Sequence, residues 1–290
     1  MAAHVANTPG TMTAAATRPS TPPVGTTLFD RFRVTGRDRG DGCAERYFVR
    51  PMNGGAVATA RVFTHPVFTR AAQSVWEAAE ARLQRLTTIE HPNVERVLGA
   101  GVVTFDASER LCVITEHTEG EALDARIHAR KRLSFHDATD IGHRVLHGLA
   151  AIHQLGLVHG DLRASNVRFA KTLNTGDVTS WPVLCDVGVN TVLLDAVGRV
   201  GALRDQMLAP EFMAPEQIEG EAATVATDIY AFGLLLYTML AGTGPFAADD
   251  DSELVVAKLT REPRPLHEAG AVGVPEAMDA LVQRCLARNP

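Results

Sequence analysis

Lysine is nearly absent from this 290-residue chain. The 28 basic residues include only Lys131, Lys171 and Lys258, so no lysine precedes residue 131. Any chemistry that needs a lysine amine in the first part of the chain is excluded. Cysteine is scarce too: Cys43, Cys112, Cys185 and Cys285 lie far apart and form no C-x-x-C pair. That spacing fits free or buried thiols in a reducing compartment. No apolar run approaches the roughly 18 residues of a membrane span. The N-terminus has no basic stretch leading into an apolar one, so no signal peptide is expected and the expected location is cytoplasmic. An excess of positive charge is also missing. The net charge of −6 and a pI near 6.0 give no reason to expect nucleic-acid or polyanion binding.

The apolar content of 46% is ordinary for a globular protein with a sizeable core. The length allows one two-lobed domain or two small ones. Residues 1–28 are rich in Ala, Thr and Pro, and this composition predicts a disordered tail. Short strand-like runs follow at 32–35, 46–50, 56–63, 97–103 and 111–115. One helix is predicted over 72–86, with Val75, Ala79, Leu83 and Leu86 on a single stripe. Residues 29–119 therefore read as a small sheet with one helix, and residues 120–290 as mainly helical. Ile141, Val145, Leu149 and Ile152 give one apolar helix face. The stretch 229–240 is apolar on nearly all sides and belongs inside a domain. Short strands are predicted at 167–169 and 183–185.

His159-Gly160-Asp161-Leu162-Arg163-Ala164-Ser165-Asn166 places a carboxylate and a carboxamide five residues apart, beside a basic side chain. Phosphoryl transfer needs such a set: an Asp to orient the attacking hydroxyl, an Asn for Mg²⁺, and a cation for the moving phosphate. The segment resembles the catalytic loop H-R-D-L-K-x-x-N of the protein kinase superfamily. Its H-G-D is also found in small-molecule kinases of the aminoglycoside and choline type. Downstream residues favour the protein kinases. Asp186-Val187-Gly188 resembles D-F-G, and Met213-Ala214-Pro215-Glu216-Gln217 resembles the M-A-P-E-Q of bacterial Ser/Thr protein kinases. The stretch from Asp228 to Gly233 resembles the D-x-Y-x-x-G that opens the family's buried central helix. Residues 242–246 and 281–290 match later segments. The resemblance covers roughly residues 29–290. It implies an α+β, two-lobed fold, with an antiparallel-sheet N-lobe carrying one helix and a mainly helical C-lobe. It implies ATP and Mg²⁺ as cofactors and a protein as substrate or partner. In the family pattern Asp161 is the catalytic base, Arg163 steadies the γ-phosphate, and Asn166 with Asp186 holds the metal.

The N-terminal half departs from that pattern. Gly40 and Gly42 begin a Gly-rich loop or a plain hairpin turn, and Glu45 stands where the third glycine belongs, so its carboxylate would repel a triphosphate. Arg61 takes the place of the V-A-I-K lysine, an exchange that is not conservative. Removing one preorganised electrostatic group costs about 10²–10³ in rate. Its usual acidic partner would fall at Arg82, with Glu77 and Glu80 nearby. Tyr47, Thr59 and Arg168 stand at the positions that normally wall the adenine. By strand alternation Arg168 faces opposite to the core residue Val167. The hinge is expected at 115–118, with backbone groups of Glu116 and Thr118 open to adenine.

Control elements are altered as well. Gly160 removes the Arg that grips a phosphorylated activation loop, and Thr191 is the only hydroxyl side chain between Asp186 and Glu216. Ala209 replaces the Thr that steadies the catalytic Asp. The sequence stops at Pro290, before the Arg that usually pairs with the A-P-E glutamate, so Glu216 is expected to lack that partner and the last helices of the lobe to be missing. Two readings follow, and between them stands a nucleotide sensor that binds ATP without transferring it. One is a kinase-fold signalling scaffold with transfer weakened or lost and cofactors absent. The other is an active Ser/Thr kinase using Arg61.

Overall fold

The computed structural model describes residues 22–38, 40, 43–64, 73–105, 108–174, 177–196, 198 and 207–288. Most of the expected tail (1–21), Asp41 and Gly42 of the Gly-rich segment, and Asn289 and Pro290 lie outside the described residues. The N-terminal lobe is one antiparallel sheet in the order β1-β2-β3-β4-β6-β5. Its strands are β1 Thr27–Leu28, β2 Phe32–Arg37, β3 Ala44–Pro51, β4 Ala58–Phe63, β5 Val97–Phe105 and β6 Ser108–Glu116. Helix α1, Gln73–Leu86, is inserted between β4 and β5 and packs on β5. The sheet starts just ahead of the compositional change at residue 29, because Leu28 is buried against β2.

Strand alternation sorts β4 into two faces. Ala58, Ala60 and Val62 enter an outer cluster with Leu28, Phe32, Val34, Tyr47 and Ile114. Thr59, Arg61 and Phe63 face the other way. Phe63 joins Leu83, Leu86 and Val113 in the main core, which runs on into the second lobe. Arg61 is thus carried to the space between the lobes by the same alternation that buries Ala60 and Val62.

Among the described residues the second lobe contains α2 Leu123–Arg130, α3 Phe135–Gln154, a hairpin of β7 Val167–Asn174 and β8 Asp177–Leu184, and the helices α4 Val189–Ala196, α5 Pro215–Ile218, α6 Val225–Ala241, α7 Asp251–Thr260 and α8 Glu276–Cys285. The hairpin is longer than the short strands that sequence predicts. Helix α3 is capped by Ser134, whose hydroxyl accepts from Asp137 N–H. It buries Ile141, Val145, Leu149 and Ile152 on the predicted face. Helix α6 is buried on nearly every side, as its sequence predicts. Thr224 caps its start, and Gly242 ends it in a left-handed turn (φ 80°) where a Cβ would collide with Lys131 O.

Lys258 on α7 is 1% exposed and donates to three backbone carbonyls: Pro210 O (2.7 Å), Glu211 O (2.7 Å) and Met213 O (2.8 Å). An ammonium has three N–H groups, and each finds an acceptor. The segment that enters α5 is tied to α7 in this way. Lys258→Met leaves three carbonyls without their donor and is expected to cost about 1–3 kcal/mol in denaturant unfolding. Unchanged stability would mean that those carbonyls find other donors.

Candidate active-site cleft

The loop after α3 is fixed from below by one carboxylate. Asp228, at the start of α6, is 0% exposed. It accepts from His159 N–H (2.8 Å), Gly160 N–H (2.8 Å) and the His153 ring (2.7 Å). Gln217 Nε2 donates to Gly160 O (2.8 Å). The loop then presents Asp161 and Asn166 together. Asn166 Nδ2 donates to Asp161 O (2.8 Å) and to its Oδ2 (3.1 Å), and Arg163 lies 3.5 Å from the same oxygen. Burial pushes the Asp161 carboxyl up to about 6, against the opposing pull of Arg163. Asn190, on α4, also donates to Asp161 Oδ2 (2.8 Å). It supplies the restraint that Ala209 cannot. Sequence reasoning missed Asn190 because nothing in its local pattern ties it to a residue 29 positions earlier.

Asp186 sits in the left-handed region (φ 58°) with its carboxylate turned toward the sheet. Arg61 NH1 reaches Oδ1 (2.9 Å) and Arg46 NH2 lies 3.4 Å from Oδ2. Burial works to raise the Asp186 pKa, but the two guanidiniums outweigh it and hold the carboxyl below its usual range. Arg61 is therefore engaged with the opposite lobe. Glu80 lies against Gly101 and accepts from Gln84 (3.4 Å). Arg82, at the position expected for the acidic partner, pairs with Asp195 of α4 (2.8 Å).

Two expectations about the N-terminal strands need correction. Glu45 pairs with Arg37 (2.6 Å) on the sheet face away from the cleft and does not confront it. Tyr47 is buried in the outer cluster, and Arg46, one residue earlier, faces the cleft in its place. A shift of one residue in a strand exchanges its two faces. At Gly40 a Cβ would collide with Ala44 O.

The hinge is also more occupied than expected. Glu116 N–H donates to Arg96 O (2.9 Å). Arg168 faces the cleft as predicted and donates to Thr118 O (3.3 Å) and Gly120 O (2.9 Å). Thr59 Oγ1 bonds the His117 ring (3.0 Å). Thr118 Oγ1 donates to Glu95 (3.0 Å), a residue that sequence reasoning missed. Its signal was a lone acid between the buried Val94 and Val97. Burial, and then repulsion from Asp186, push the Glu95 carboxyl up to about 7.

These side chains line a cleft of about 320 Å³. A magnesium ion needs free carboxylate and carbonyl oxygens. Both oxygens of Asp186 already face guanidiniums, whereas Asn166, with its NH₂ turned to Asp161, keeps its carboxamide oxygen for a ligand. Among the described residues no trio of His, Cys, Asp or Glu is placed to hold a metal ion. An adenine ring would meet the polar Thr59, Glu95 and Arg168 beside the apolar Val113 and Ala122. In this arrangement the residues do not fit a magnesium–nucleotide complex. Glu216, expected to lack a partner, accepts from Thr227 Oγ1 (2.5 Å).

Helix α4 is seated on the loop through Gly160. That glycine has φ 68°, and a Cβ there would collide with Thr191 Cγ2. Gly160→Arg is expected to lower the melting temperature by several degrees, with part of the loss recovered in Gly160→Arg/Thr191→Gly. No loss in the single variant would show that α4 is not held there. Glu95 gives a second test. Its folded pKa lies above its unfolded one, so the folded state binds the extra proton and loses stability as pH rises from about 4.5 through 7. Glu95→Gln should raise the melting temperature by about 2–4 °C at pH 8 and leave it unchanged at pH 5. An equal shift at both pH values would remove the titration from the explanation.

Comparison with known proteins agrees with this fold. The sequence matches the protein kinase domain family over residues 63–290. The serine/threonine-protein kinase pkn2 of Myxococcus xanthus is 28% identical over 269 residues, which are 91% of this chain and 31% of that protein. PkaB of Streptomyces coelicolor is 32% identical over 206 residues, 71% of this chain and 47% of that protein. The chain thus spans about a third to a half of the length of these relatives. The solved kinase domain of Mycobacterium tuberculosis PknI superposes with a TM-score of 0.68 at 20% identity, over 93% of each chain. The chain belongs to the protein kinase domain family, with bacterial serine/threonine-protein kinases among its relatives.

Proposed function

We propose that this domain is a kinase-fold binding module in which phosphoryl transfer to protein hydroxyls is weakened or lost. The observation that carries this reading is the placement of Asp186 between Arg61 and Arg46, at 2.9 and 3.4 Å. A carboxylate held by two guanidiniums is a poor metal ligand. The polar adenine walls and the engaged hinge support the same reading. A protein partner in the cytoplasm completes it. The described cysteines are unbridged, and no helix among the described residues is long and apolar enough to cross a membrane.

The retained trio supports a second reading. Asp161, Asn166 and Asp186 stand together, and the contact between Asn166 and Asp161 is intact. In an active kinase Asp161 would orient the hydroxyl and take its proton, Arg163 would steady the γ-phosphate, and Arg61 would stand in for the lysine. Asn166 and Asp186 would hold the magnesium ion, which supplies charge neutralisation at the phosphates. Both arginines would first have to leave Asp186. The protein-kinase relatives give no support to the small-molecule kinase alternative.

Transfer of labelled phosphate from ATP, to the domain itself and to a general protein acceptor, tests the proposal. The wild-type chain and Asp161→Ala are expected to give the same background. Transfer in the wild type that Asp161→Ala abolishes would establish the active reading instead.

A further inference from the structure

Two exposed histidines on α3 stand one helical turn apart. His143 and His147 occupy positions i and i+4, which share one face of a helix. That face is opposite the buried stripe of Ile141, Val145 and Leu149. The imidazole centroids are 4.4 Å apart, with the rings tilted by 51°. Among the described residues neither ring has a hydrogen-bond or ion-pair partner.

The segment before β5 crosses α3 beside this pair. Gly148 permits the approach, because a Cβ there would lie 3.0 Å from Asn93 O. His91, two residues before Asn93, comes within electrostatic reach of His147. Burial first, and then His147, hold the His91 imidazole below its usual range. His91 Nδ1 accepts from Asn93 N–H (3.2 Å). Charged neighbours are already paired: Asp140, one turn before His143, with Arg144 (3.2 Å), and Glu90 with Arg96 (2.9 Å).

Two histidines at i and i+4 on one helix face can share a zinc ion. Imidazole nitrogen suits zinc, copper and nickel, whereas magnesium takes oxygen ligands. We propose that His143 and His147 hold a divalent transition-metal ion of the zinc type across one turn of α3, with water completing its shell. Among the described residues no third His, Cys, Asp or Glu joins them as a ligand. The ion is therefore exchangeable, unlike one in a closed four-ligand structural site. It fastens successive turns of the helix whose C-terminal end leads into the Asp161 loop. The site lies outside the cleft and does not depend on whether the domain transfers phosphate.

Isothermal titration of the untagged 290-residue chain with Zn²⁺, and with Mg²⁺ for comparison, tests this. Zn²⁺ should bind and Mg²⁺ should not. His143→Ala and His147→Ala should each weaken Zn²⁺ binding about tenfold or more, as expected for losing one of two ligands. His128→Ala, at an exposed position on α2, should change nothing, and His91→Ala should keep most of the affinity. Lowering the pH from about 7.5 to about 5.5 should weaken binding about tenfold or more, because the metal takes the deprotonated ring. Saturating Zn²⁺ should raise the melting temperature of the wild type by several degrees and leave that of His143→Ala/His147→Ala unchanged. In NMR spectra the ring resonances of His143 and His147 should shift together as Zn²⁺ is added. Both variants replace exposed side chains, and melting curves without metal confirm their fold. No Zn²⁺ binding by the folded wild type, or binding unchanged in His147→Ala, overturns the inference. A loss in His91→Ala as large as in His147→Ala overturns the two-histidine assignment. None of these outcomes alters the proposed loss of phosphate transfer, which the labelled-phosphate assay tests separately.

Discussion

The buried carboxylate of Asp228 anchors the arrangement of the lower lobe. Two backbone N–H groups and an imidazole converge on it inside the protein. A carboxylate taken out of water this completely is tolerated only when donors surround it. The two backbone donors belong to the turn that leads into Asp161, and the imidazole belongs to the end of α3. A largely buried helix therefore sets the height and direction of the loop above it. The positions of Asp161, Asn166 and Arg163 follow from that anchor, whether or not they carry out chemistry.

Above the loop the cleft is organised by charge. In the family pattern a lysine, an acid on the helix, a metal and an aspartate share the work of binding phosphates. Here the lysine is an arginine, the helix acid is Arg82, and a second arginine has entered from β3. The charges have regrouped across the lobes: Arg61 and Arg46 with Asp186, and Arg82 with Asp195. Each of these pairs joins the sheet or α1 to the segment after β8. The cleft is held closed by contacts that a bound magnesium ion would have to break.

Much of the fold was legible in the sequence because burial leaves periodic traces. The stripe on α3, the all-round apolarity of α6 and the strand runs of the first lobe follow from which residues must leave water. The motif residues Asp161, Asn166 and Asp186 were legible because their spacing is tied to one loop and one strand end. What was not legible depends on register and on distance in the chain. Arg46 and Tyr47 are neighbours, and only the pairing of β3 with β4 decides which one enters the cleft. The partner of Arg61 lies 125 residues away, and that of Asn190 on the far side of the loop. The hinge looked open because backbone groups carry no side-chain signature of their occupants, and Arg168 was read only as a wall.

The contact between Gly160 and Thr191 has a historical consequence. A lineage that once carried an arginine at position 160 could not have acquired the present α4 while keeping that arginine. A descendant that regained the arginine in a single step would lose stability, because the new side chain would meet Thr191 and the left-handed backbone at once. The two positions form a ratchet. Once the helix settled on the glycine, the route back to a loop gripped by phosphorylation required at least two changes, the first of them disfavoured alone.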